Sequence, residues 1–277
     1  MPNLKNIFFY IYSALFLVFV SCSSEQNQME FDSTDLFYKL YPTAKIQSNV
    51  SHGDYQIIKF KDKKFKSEAW FNQNGWSVTV TEIPVDQISR DLKYKISNSE
   101  FDDWTVLEIN KLTRRNYEDL LVTTVEKNKV VYDLYYDVNG VLLRKSDETG
   151  VALTNQRFVP AEIPAKVKTE FLKNYPDGRI FDVEGFVEAV EILVFEDNKS
   201  KFLIYDSNGS WLYSAWELRP EEVNPAIMRE LKSQYSGCDI DIVIYTKTSS
   251  SEIYIVECLV NGVKQSFYIS PKGKILF

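Results

Sequence analysis

Histidine is nearly missing from this sequence: His52 is the only one in 277 residues, and the three cysteines, Cys22, Cys238 and Cys258, are far apart. That set cannot assemble a cluster of soft ligands for zinc or iron, so no metal or other cofactor is expected. Ser51-His52-Gly53-Asp54 holds the three side-chain types of a hydrolase triad, but consecutive residues splay apart and cannot form the nucleophile–base–orienter chain. A loop between two strands is the better reading. Glycine and proline are scarce, at 10 and 9. That count excludes collagen-like and low-complexity chains. Positive charge is in deficit, with 32 basic against 39 acidic residues, which makes nucleic acid an unsuitable partner. Only one long apolar run exists, Ile7 to Val20; its 14 residues fall short of the roughly 20 that a membrane span needs.

That run has the layout of a secretory signal: a single positive side chain, Lys5, precedes it, and Ser21-Cys22 follows. Phe19-Val20-Ser21-Cys22 resembles a bacterial lipobox, with Phe19 where Leu is usual. The expectation is a signal peptide over 1–21, cleavage before Cys22, and lipid attached to the Cys22 thiol. Residues 22–31 then form a polar tether with little to bury. Cleavage leaves 256 residues carrying 31 basic and 39 acidic side chains, enough for two ordinary domains.

The remainder is rich in Tyr and Phe, at 17 and 18, and its Thr, Val and Ile crowd into short runs, a composition suited to antiparallel sheet. One turn recurs: Phe71-Asn72-Gln73-Asn74-Gly75, Tyr136-Asp137-Val138-Asn139-Gly140, Tyr205-Asp206-Ser207-Asn208-Gly209 and, more degenerate, Ile269-Ser270-Pro271-Lys272-Gly273. The glycines lie 65, 69 and 64 residues apart, which indicates duplication. Asn-Gly between alternating apolar residues predicts a type I′ hairpin at Asn74-Gly75, Asn139-Gly140 and Asn208-Gly209. Around the third turn, Lys201 to Asp206 and Trp211 to Glu217 are the hairpin strands, and Val187 to Phe195 precedes them. Val190, Ile192 and Val194 fall on one face of that earlier strand, so a sheet covered on one side is expected.

A helical pattern lies upstream of each set of strands. In the third unit it is Ile163, Val167, Phe171, Leu172 and Tyr175 behind Pro164; in the fourth, Val223, Ile227, Met228, Leu231 and Tyr235 behind Pro220 and Pro225. The second begins at Ile83-Pro84 with Val85, Ile88 and Leu92, and the first has Leu36, Phe37, Leu40 and Tyr41 before Pro42. Pro42 to Gly75 and Pro176 to Gly209 both span 33 residues, so units one and three are the closer relatives. The chain therefore reads as α+β, a tandem repeat of four helix-plus-sheet units in two pairs, over 32–148 and 158–277.

The segments Ile163-Pro164 through Tyr175-Pro176 and Phe202 through Leu212, with Ala69 through Trp76 and Val131 through Leu142 in the first half, carry a family resemblance. They resemble the PepSY-like, β-lactamase-inhibitor-like domains common in exported Bacteroidetes proteins. The resemblance covers essentially all of the mature chain. It implies a helix on a four-stranded antiparallel sheet in each unit, with paired sheets forming an extended, often concave surface. The inhibitor that names the wider group grips an enzyme with such a surface; only scaffold residues match here, and no inhibitory ones.

Asp137-Val138-Asn139-Gly140 and Asp206-Ser207-Asn208-Gly209 contain part of a calcium loop, but position 146 is Ser and 215 is Ala where the late Glu ligand belongs. A hairpin turn accounts for both. Cys238 and Cys258 sit on neighbouring predicted strands, Cys238 to Tyr245 and Glu252 to Val260. A hairpin symmetric about residue 248 would set them directly opposite, and either a disulfide or two buried thiols is open. The five tryptophans, Trp70, Trp76, Trp104, Trp211 and Trp216, cluster around the repeated hairpins. With Tyr213, those at 70, 76, 211 and 216 form either an aromatic binding face or packing between units. Asp32-Ser33-Thr34 reads as a cap for the first helix and also resembles a short O-glycosylation signal.

The function expected is therefore non-catalytic: a lipoprotein tethered to the outer membrane, on its periplasmic side or at the cell surface, that binds or scaffolds a protein or cell-envelope ligand. The alternatives are an inhibitor or sensor of an exported enzyme, or a hydrolase working with paired carboxylates.

Overall fold

The computed structural model describes residues 32–276 apart from Ser236. The signal at 1–21, Cys22 and the tether at 22–31 lie outside the described residues. Four helices and fifteen strands follow in chain order. The first half contains α1 (Thr34–Leu40), β1 (Lys45–His52), β2 (Tyr55–Asp62), β3 (Phe65–Asn72), β4 (Gly75–Glu82), α2 (Arg90–Ser97), β5 (Thr105–Arg114), β6 (Leu120–Lys127), β7 (Val130–Tyr136) and β8 (Leu142–Asp147). The second half contains α3 (Ala165–Asn174), β9 (Ile180–Gly185), β10 (Ala189–Glu196), β11 (Lys199–Asp206), β12 (Trp211–Glu217), α4 (Pro225–Gln234), β13 (Cys238–Thr248), β14 (Glu252–Val260) and β15 (Val263–Ile269). Strands β1 to β8 form one eight-stranded sheet in sequence order, and β9 to β15 a seven-stranded one; every pairing is between neighbours and antiparallel. Two repeated units, each of helices on an antiparallel sheet, make up the described chain.

The three longer helices each bury a pair of side chains four residues apart: Leu92 and Ile96 in α2, Val167 and Phe171 in α3, Ile227 and Leu231 in α4. That spacing sets one narrow apolar stripe against a sheet. The start of α2 departs from expectation. Val85 is exposed in a short 3₁₀ turn, and the helix begins only after Ser89, whose Oγ accepts the Leu92 N–H at 3.1 Å. A side-chain cap outweighs the earlier proline as a start signal here. At the front of α1, Asp32 accepts the Thr34 N–H at 2.9 Å, while Ser33 at the cap position makes no side-chain cap bond and donates its hydroxyl to Gln56 at 2.7 Å.

The recurring Asn-Gly turns are not type I′. Gly75, Gly140 and Gly209 have φ of 104°, 70° and 89°, but no asparagine before them is left-handed. Asp137 Oδ1 accepts the N–H groups of Asn139 and Val141, and Asp206 Oδ1 those of Asn208 and Ser210. Asn72 Oδ1 likewise accepts from Asn74. Each turn is an Asx turn closed by a left-handed glycine, with a register shift beside it between Trp70 and Phe71, Tyr135 and Tyr136, or Ile204 and Tyr205. The aspartates that suggested calcium are engaged by backbone N–H groups of their own turns. At Gly209, an added Cβ would come 2.9 Å from the carbonyl of Lys166 in α3, so this turn abuts the helix of its own unit.

Register also corrects the cysteine placement. The β13–β14 hairpin pairs Lys247 with Glu252 and carries a bulge between Ile240 and Ile242, so Ile240 faces Cys258 and Cys238 faces Val260. Cys238 and Cys258 are thus diagonal neighbours, a separation at the outer limit for a disulfide, and both are free, buried thiols. Burial pushes the Cys258 thiol up to about 12, and its contact with Cys238 adds to the shift.

The largest difference from expectation lies between the sheets. Ile57, Trp70, Val78, Leu112, Val122 and Tyr135 of the first sheet pack with Phe181 and Leu193 of the second, and Phe158 of the connecting segment inserts between them. In β10, Val190, Ile192 and Val194 face α3, while Leu193 faces the first sheet. Its Ile-Leu-Val-Phe run is apolar at every position because both faces are covered, not one.

Candidate functional site

Charged side chains ring the apolar contact between the sheets. Arg114, at the end of β5 and buried, donates from Nη1 to Asp182 Oδ1 of β9 at 2.7 Å and from Nη2 to the Phe181 carbonyl. Arg144 of β8 donates to the other Asp182 oxygen at 3.2 Å and to Glu184. Arg157, in the 3₁₀ turn Asn155–Phe158, donates to buried Asp133 at 2.8 Å and to Glu108. Its guanidinium also lies over the Phe158 ring at 4.1 Å. These charges are paired because an unpaired charge inside the interface would cost several kcal/mol, on the order of 3–5. Glu191 is the exception. It faces its cross-strand partner Glu184, with Asp182 and Arg144 near, and burial raises its carboxyl to about 7, partly offset by Arg144.

A groove opens at the margin of this interface, with a volume of about 780 Å³. That is within the range of roughly 300–1,000 Å³ typical of ligand sites, which favour junctions between domains. One wall comes from the β3–β4 turn and the β5–β6 turn, with Asn74, Trp76, Arg115 and Asn116; the other from Glu162, Lys168 of α3 and Arg179. The walls are tied together. Asn74 Nδ2 donates to Glu162 at 2.5 Å, Arg179 to Glu118 at 2.6 Å, and the Tyr117 hydroxyl to the Ala161 carbonyl at 3.2 Å. Burial raises the Tyr117 phenol to about 12, so it stays a neutral donor. Arg115 Nη1 donates to the Asn74 carbonyl at 2.5 Å and would meet a Cβ at Gly75 at 3.3 Å, so the missing side chain there makes room for the guanidinium.

The aromatic residues singled out in the sequence do not form one surface. Trp70 is buried between the sheets, its Nε1–H donating to Glu68 at 2.7 Å. Trp211 packs against the α3 core and donates to Ser214 at 3.0 Å. Trp216 packs on Tyr245 beside α4, under the Lys201 ammonium. Tyr213 faces the other way, toward Glu191, in the row Glu184–Glu191–Ile204–Tyr213. Trp76 alone among them lines the groove, its indole N–H fixed on Thr79 Oγ1 at 2.9 Å. His52 makes its one described side-chain hydrogen bond with Gln156, at 3.3 Å, and sets its ring edge-on to Trp70. The buried arginines escaped sequence reasoning. Their one signal is charge inside an apolar alternation, as at Asp182 in Phe181-Asp182-Val183.

A family model described as "Putative beta-lactamase-inhibitor-like, PepSY-like" matches the chain twice, over residues 54–144 and 188–276. The chain belongs to the PepSY-like family. Each PepSY-like match falls on one of the two sheets. Among solved structures, a DUF2874 family protein from Bacteroides ovatus is similar at 20% identity, covering 46% of this chain and 94% of its own, with a TM-score of 0.42. A BLIP-like protein from Bacteroides fragilis is similar at 28% identity over 44% of this chain and 88% of its own, also with a TM-score of 0.42. No curated protein matches the chain. Among the described residues no helix is long and apolar enough to cross a membrane.

Proposed function

We propose that this PepSY-like chain is an exported, non-catalytic binding protein, held at the outer membrane by lipid on Cys22, that takes its ligand in the groove between its two sheets. The groove carries the reading: it is recessed, spans both halves, and holds an indole face with polar side chains around it. The signal-like start and Ser21-Cys22 support the anchor. Each family copy is further read as a pair, giving halves at 32–148 and 158–277. Support comes from the order helix, four strands, helix, four strands in the first half and helix, four strands, helix, three strands in the second.

Two comparisons test the proposal. Wild-type protein should fractionate with membranes and Cys22→Ala with the soluble fraction; equal partition of the two removes the anchor. Immobilised mature chain should retain an envelope component that Trp76→Ala does not retain and that Lys93→Ala, on α2, retains normally. Equal retention by all three removes the groove.

A further inference from the structure

The uncommitted chemistry of the groove narrows the ligand class. Of its two acids, Glu118 is paired with Arg179, while Glu162 meets the neutral Asn74 amide and keeps its charge. Among the described residues neither of its other two cations, Arg115 and Lys168, makes an ion pair, and Arg115 meets only the neutral Asn74 carbonyl. Two unpaired cations against one unpaired carboxylate leave the groove net positive. Trp76 supplies the apolar element. Its indole N–H is spent on Thr79, which fixes the ring, and no described aromatic ring or cation covers its face. Asn116, left-handed at φ 65°, brings an amide with no described partner to the same groove.

A peptide added as a strand does not fit this site. The edge of β9 is occupied where the groove runs, because the Glu118 N–H donates to the Ile180 carbonyl at 2.9 Å and the Ala161 N–H to the Val183 carbonyl at 3.3 Å. Recognition has to come from side chains: a flat ring, amides able to donate and accept at adjacent hydroxyls, and two cations. We propose that the groove binds an acidic saccharide, with a sugar ring stacked on Trp76 and its carboxylate held by Arg115 and Lys168. This rests on the reading of the groove as the binding site.

The test presents the mature chain with an array of oligosaccharides built on galacturonate, glucuronate and muramate, beside neutral counterparts of equal length, and measures affinity by calorimetry. An acidic probe should bind at least about tenfold more tightly than its neutral counterpart, with the preference shrinking as salt rises. Trp76→Ala should weaken it about tenfold or more, Trp76→Phe should recover part of that, and Arg115→Gln should reduce the acidic preference while sparing neutral binding. Unchanged urea midpoints establish that these variants fold; if Trp76→Ala does not, Arg115→Gln and Lys168→Gln carry the test. Equal affinity for acidic and neutral probes, no binding by any probe, or indifference to Trp76 and Arg115 overturns the proposal. If every saccharide fails while wild type still retains an envelope component that Trp76→Ala loses, the groove stands and the ligand class falls; if both fail, so does the site.

Discussion

Replacing Asp182 with Ala probes the contact that holds the two sheets in place. Its carboxylate accepts from Arg114 at 2.7 Å and from Arg144 at 3.2 Å. Only 1% of the Arg114 side chain is exposed, so no water is at hand to replace the lost partner. The Phe181 carbonyl would remain as an acceptor, but it carries no countercharge. Arg144 keeps Glu184 and loses less. Breaking one partner of a buried pair costs on the order of 3–5 kcal/mol, since the penalty is that of the stranded charge. Urea denaturation followed by tryptophan fluorescence should show that loss as a lower midpoint at unchanged slope. The double variant Arg114→Met with Asp182→Leu removes both charges and should recover most of the loss, to within about 1–2 kcal/mol of wild type, because apolar side chains of similar volume suit the surrounding Leu112, Tyr135 and Phe158. A single variant within about 0.5 kcal/mol of wild type would refute the buried-pair argument. A double variant as unstable as the single would show that the guanidinium is not the stranded group.

Three further outcomes follow from the same structure. Glu191 has its folded pKa raised from 4.5 to about 7, so the folded state keeps a proton that the unfolded state releases. Stability should therefore fall as pH rises from about 4.5 to 7 and level off above, by about 1–3 kcal/mol, and Glu191→Gln should flatten that stretch of a denaturation-versus-pH profile. Gly209→Ala should cost about 2–4 kcal/mol by thermal or urea denaturation, because φ is +89° and the new methyl group meets Lys166 backbone at 2.9 Å; Gly53→Ala, with nothing within 4 Å, should cost only about 1 kcal/mol. Cys258, its thiol raised to about 12, should react with a disulfide reagent orders of magnitude more slowly in the native chain than after unfolding. The unfolded, unreduced chain should then take two alkyl groups at Cys238 and Cys258; uptake of none would mean a disulfide.

Local patterning was legible in the sequence and the contact between sheets was not. Pairs such as Val167–Phe171 and Ile227–Leu231 announce their helices because their partners lie in the same unit. For Trp70 the sequence left a binding face and packing between units open, and packing between units is what the structure shows; the choice was not legible because its cover, Phe158 and the second sheet, comes from beyond its own sheet. Alternation in β10 identified the face on α3 and said nothing of Leu193 opposite. The turns were read one residue too simply, since Asn-Gly alone does not reveal that the Asx residue ahead of it accepts the turn's N–H groups. That choice adds a bulge beside each turn, and bulges decide register. Of the groove, only Trp76 and the Asn74 turn were visible beforehand, because Arg115, Glu162 and Lys168 are ordinary surface residues until two segments meet.

The most direct test of the groove as the binding site is photo-crosslinking in living cells, with a photoreactive amino acid in place of Asn116, which lines the groove, and, as control, in place of Lys232 on α4. The account predicts a discrete adduct from position 116, lost when Trp76→Ala is added to the same chain, and none from position 232. No adduct at 116, an adduct there that survives Trp76→Ala, or the same adduct from both positions would contradict it.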